Sequence, residues 1–76
     1  MATIGAVMPH VDGEKLTELR EVRFLSHREL AKLAGVSPQT VLNLEHGKGE
    51  QAQRRTIRKL AQALAVEPQE LVKPEE

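Results

Sequence analysis

Residues 30–48 read LAKLAGVSPQTVLNLEHGK, and Gly35-Val36-Ser37 in the middle decide how the chain folds. The pattern on both sides is helical. Upstream, Ser26 is a good N-cap, and Glu29 three positions on completes a capping box. Leu30, Leu33 and Ala34 are expected to form the apolar face of that helix. Gly35 falls where a helix ends in a left-handed residue. Ser37 then caps a new helix, and Pro38 takes the first helical position, where a missing N–H costs nothing. Val41 and Leu44 follow at inward positions. Two helices joined by so short a glycine-containing turn make a helix-turn-helix unit.

Ala31 is small, so the second helix can pass close to the first. Pro38, Gln39, Leu42 and Asn43 are left facing outward at its start. Gln and Asn each match an adenine edge through paired donor and acceptor groups, and a recognition helix reads bases with its N-terminal residues. A solvated polar face is the plainer reading of the same four residues.

On either side of this unit the pattern predicts further helices. Helix one is expected over Glu14 to about Arg23, with Leu16 and Leu19 inward. Helix four is expected over Arg54 to Ala65, with Ile57, Leu60, Ala61 and Leu64 on one face and Arg54, Arg55, Arg58 and Lys59 on the other. Glu67-Pro68 opens a fifth short helix ending near Val72, with Leu71 inward. Residues 1–13 lack a helical period and form an arm, either mobile or a short strand that pairs with something. Residues 14–72 are then the domain, with the helix-turn-helix at about 26–46, and residues 73–76 a tail. The expected core is Leu30, Leu33, Leu44, Ile57, Leu60 and Leu64.

The 76 residues suffice for one small domain with a thin core. There is no cysteine, which excludes disulfides, thiolate metal sites and thiol nucleophiles. No apolar run approaches a membrane span and no secretory signal stands at the start, so a cytoplasmic protein is expected. Phe24 is the only aromatic residue, which excludes aromatic platforms for stacked bases. The formal net charge is zero, yet residues 27–59 hold seven basic and three acidic groups. A segregated basic region attracts polyanions even when the total is zero. His10, His27 and His46 are far apart in sequence, so neither a metal nor another cofactor is expected. Asp12 is the lone aspartate and no nucleophile–base pair is recognisable, so an enzyme is not expected.

Residues 25–48, LSHRELAKLAGVSPQTVLNLEHGK, resemble the helix-turn-helix of the Cro/C1-type (Xre) transcriptional regulators, the family of the phage lambda and 434 repressors. The positions that carry the likeness are Leu30, Ala31, Gly35, Val36, Val41, Leu44, Glu45 and Gly47, and it extends from about Leu16 to Leu71. It implies an all-α, five-helix, lambda-repressor-like domain. Gln39 and Asn43 would contact bases. Pro38 stands where many members carry a base-reading Gln, and Leu42 would meet a thymine methyl or simply be exposed. His27, Ser37, Thr40, Lys48, Arg54 and Arg55 would contact phosphates, His27 through its ring and through backbone N–H groups at a helix start. Arg20 and Glu45 match a structural pair that ties helix one to helix three. The implied partner is double-stranded DNA, bound by a homodimer on an inverted repeat. A domain of this architecture that docks a partner protein, as an antitoxin does, is the alternative.

Overall fold

The computed structural model describes residues 9–47 and 51–73. It is helical: α1 Gly13–Val22, α2 His27–Ala34, α3 Pro38–His46 and α4 Arg54–Leu64, followed by a 3-10 turn, Pro68–Leu71. The fifth α-helix expected from Glu67-Pro68 is this single 3-10 turn. Pro68 opens it, and the Glu70 N–H reaches back only three residues, to the Glu67 carbonyl. Four residues are too few to add an i→i+4 ladder beyond it.

Local chemistry sets the helix ends. The Asp12 side chain accepts from the Lys15 N–H and caps α1. Ser26 and Glu29 exchange both bonds of a capping box at α2. Gly35 then takes φ 76°, the left-handed region that glycine enters without a Cβ penalty. Open space surrounds the position of a Gly35 Cβ, so the requirement there is conformational and not steric. The Ser37 hydroxyl accepts from the Thr40 N–H and starts α3 at once. At α4 the last helical turn ends on Ala65, also left-handed at φ 59°.

The core gathers Val11, Leu16, Leu30, Ala31, Val41, Leu44, Ile57, Leu60, Ala61, Leu64 and Leu71. Leu33 is not part of it; it is 63% exposed. At about 100° per residue, Leu30, Ala31 and Ala34 cluster on one side of α2, and Leu33 falls about 100° from the middle of that cluster. In an eight-residue helix the i, i+3 spacing alone does not fix which leucine faces in.

The end of the expected arm is built into the domain. His10 and Val11 form isolated antiparallel bridges to Gln51 and Val72. The Ala52 N–H donates to the Pro9 carbonyl, and the Asp12 N–H to that of Leu71. Val11 is 1% exposed and packs in the same core as the helices. The rest of the arm, residues 1–8, lies outside the described residues, as do 74–76 of the tail.

Gly13 answers a different need from Gly35. A Cβ there would lie 2.5 Å from the Glu45 carbonyl oxygen and 2.7 Å from that of Leu44. The start of α1 therefore abuts the backbone at the end of α3. Alanine is normally the better helix former by about 1 kcal/mol, but here a backbone carbonyl blocks it. Gly13→Ala is expected to destabilise the fold by about 1–3 kcal/mol, the usual cost of overpacking. Urea unfolding measures it, and an unchanged or raised stability would contradict the close approach.

Candidate nucleic-acid interface

Helix α3 sorts its residues cleanly by face. Val41 and Leu44 are buried against the rest of the domain. Pro38, Gln39, Leu42 and Asn43 are exposed, Leu42 at 37%. The helix packs on α2 and α1, which leaves its opposite side and its capped start outward. Gln39 and Asn43 are also partners: Gln39 Nε2 donates to Asn43 Oδ1 at 2.9 Å. They sit at i and i+4, neighbouring positions on a helix surface. Gln39 Oε1 and Asn43 Nδ2 remain as an acceptor and a donor on one surface, the pairing an adenine edge requires. The i, i+4 spacing carries that pairing.

The polar start of α3 is ordered too. The Ser37 and Thr40 hydroxyls lie 2.8 Å apart, and Ser37 also caps the helix. Thr40 is half-buried and Ser37 exposed. Arg54 and Arg55 are both exposed on the first turn of α4, whose N-cap, Gln53, makes no side-chain cap bond. Lys48 lies outside the described residues.

Arg20 and Glu45 pair as expected, and through more bonds than a simple ion pair. Arg20 Nε donates to Glu45 Oε2 at 2.6 Å and Arg20 Nη2 to Glu45 Oε1 at 3.1 Å, a fork-to-fork pair. The Glu45 side chain is 1% exposed and that of Arg20 10%. Arg20 Nη1 also donates to the Leu25 carbonyl, tying the α1–α2 turn to α3. Burial pushes the Glu45 carboxyl up. Hydrogen bonds from Arg20, Thr17 and His27 outweigh that and hold it below the ordinary glutamate value. Its bond to Glu45 raises the Arg20 guanidinium above the usual arginine value.

His27 differs from its expected posture. Its Nε2 lies 3.0 Å from Glu45 Oε1, so the ring turns toward the buried carboxylate. A carboxylate 18 positions later is the strongest acceptor within reach, and no local spacing could reveal it. Any phosphate contact at this helix start falls to the backbone N–H groups and to Nδ1.

Residues 13–73 match the family described as "Helix-turn-helix domain". The chain belongs to this family. Its likeness to the Cro/C1-type regulators holds beyond the two-helix unit, because the match takes in every helix among the described residues. The chain is 43% identical over 54 residues to the HTH-type transcriptional repressor RghR of Bacillus subtilis, covering 71% of this chain and 40% of that one. Among solved structures it resembles the restriction-modification controller protein C.AhdI of Aeromonas hydrophila: TM-score 0.71, 40% identity, 76% of this chain and 86% of that one. It also superposes on part of a hydroxyethylphosphonate dioxygenase, at TM-score 0.75 and 25% identity over 88% of this chain but 14% of the enzyme. The chain spans between 16% and 40% of the length of the curated relatives it matches.

Proposed function

We propose that this helix-turn-helix domain binds duplex DNA as part of a transcriptional regulator, with α3 in the major groove. The observation that carries the reading is the outward, mutually bonded Gln39–Asn43 pair on a helix anchored from behind by Val41 and Leu44. Pro38 and Leu42 flank it and supply apolar contact to the groove. The Ser37 and Thr40 hydroxyls, the backbone at His27, and Lys48, Arg54 and Arg55 bind phosphates. Those contacts fix the register of the helix without reading sequence.

One helix of this length reads only a few base pairs. The protein therefore acts as a homodimer on an inverted repeat, with half-site centres about 34 Å apart. It is a repressor in the cytoplasm and not an enzyme, which the family and the relatives called regulators support. Among the described residues no helix is long and apolar enough to cross a membrane. The antitoxin-like reading is not favoured, because the matched relatives are called transcriptional regulators.

Selection of bound duplexes from a random pool tests the proposal. The expected outcome is a short enriched motif, repeated in inverted orientation. A pool that stays random through successive rounds would overturn it.

A further inference from the structure

The three histidines look unrelated in sequence, but the fold brings two of them to one carboxylate. His27 at the start of α2, and Glu45 and His46 at the end of α3, place one ligand atom each within 4.8 Å of one another. The two imidazole rings stand 6.3 Å apart, centroid to centroid, tilted by 46°. His46 is exposed, His27 half-buried and the Glu45 side chain buried, so a cation there would have protein on one side and solvent on the other. We propose that His27, Glu45 and His46 form a binding site for a divalent transition-metal ion, Zn²⁺ above all, with its remaining position open to solvent.

The chemistry of the donors favours this class of ion. Imidazole nitrogens suit Zn²⁺, Ni²⁺ and Cu²⁺ rather than Mg²⁺ or Ca²⁺, and two imidazoles with one carboxylate leave a tetrahedral ion one further position. Arg20 already grips Glu45 from α1, and a ligand held by an outer partner needs little reorganisation to bind. A carboxylate accepts about four bonds, and the one between Glu45 Oε1 and His27 Nε2 is the bond a cation replaces. Zn²⁺ takes the place of that hydrogen bond: His27 Nε2 offers its lone pair to the ion, and the ring, as a neutral imidazole, carries its one proton on Nδ1. Arg20 keeps its hold on Oε2. The ion then links the start of α2 to the end of α3, the two ends that position the recognition helix.

Titrating ZnCl₂ into the untagged full chain in chelator-free buffer, followed by calorimetry, tests the site. One ion per chain is expected. His46→Ala and His27→Ala should each weaken binding by about tenfold to a hundredfold or more, while His10→Ala should leave it unchanged. His46 is exposed, so its replacement leaves the core and the Arg20–Glu45 pair intact. The melting temperature should rise with Zn²⁺ in the parent and in His10→Ala, but not in His46→Ala. Absence of binding at millimolar Zn²⁺, or equal binding by His46→Ala, would overturn the proposal.

Discussion

Arg20→Met is expected to lower the unfolding free energy by about 3–5 kcal/mol at neutral pH, the cost of stranding one charge of a buried pair. The loss falls on Glu45, whose side chain is 1% exposed and depends on Arg20 for two of its bonds. It also frees the Leu25 carbonyl and loosens the α1–α2 turn. Urea unfolding of parent and variant in the presence of a chelator measures the difference. A loss under about 1 kcal/mol, the range of a solvated surface pair, would show that the pair contributes little. The double variant Arg20→Met/Glu45→Gln should recover part of the loss, because it no longer buries an unpaired charge.

The pH dependence of the same experiment has a definite sign. In the parent, the Glu45 carboxyl is held below its unfolded value, so its stabilisation is complete above the ordinary carboxylate range. It is lost as pH falls through the lowered folded value. Without Arg20, burial is opposed only by Thr17 and His27, so the carboxyl rises relative to the parent. The deficit of Arg20→Met should therefore shrink as the medium is acidified and Glu45 takes a proton. His27 and His46 face the same carboxylate, and Glu14, Glu18 and Glu21 line the groove beside it.

The second large effect is on binding. If, as proposed, Lys48, Arg54 and Arg55 each neutralise a phosphate in each of two protomers, the slope of log affinity against log salt is about −5. Raising salt from about 50 to 200 mM should then weaken DNA binding by about three orders of magnitude. Arg55→Ala should reduce the slope by about one unit per protomer and weaken binding to all sequences alike. Fluorescence anisotropy against a salt series measures both. A shallow slope in the parent would contradict these contacts, and an Arg55→Ala slope equal to the parent's would remove Arg55 from them.

What can be read from the sequence is whatever depends on near neighbours. Ser26 with Glu29, Ser37 with Pro38, and the left-handed Gly35 are capping signals spanning a few residues, and they place α2 and α3 to within a residue. The outward face of α3 follows from Val41 and Leu44. The family resemblance adds the Arg20–Glu45 pair, which no local pattern contains. Contacts that join distant segments leave no such trace: His27 to Glu45, Val11 to Val72, and Gly13 against the end of α3. Leu33 is exposed against expectation because a two-turn helix fits more than one apolar phase.

The claim on which the functional reading rests is that the outer face of α3 reads bases. The most direct measurement is the affinity of Asn43→Ala for the selected operator and for a scrambled duplex, at one salt concentration. A loss of about 1–3 kcal/mol on the operator alone is expected, since that is the discrimination one paired amide contact supplies. An equal loss on both duplexes, or none on either, would contradict base readout by α3.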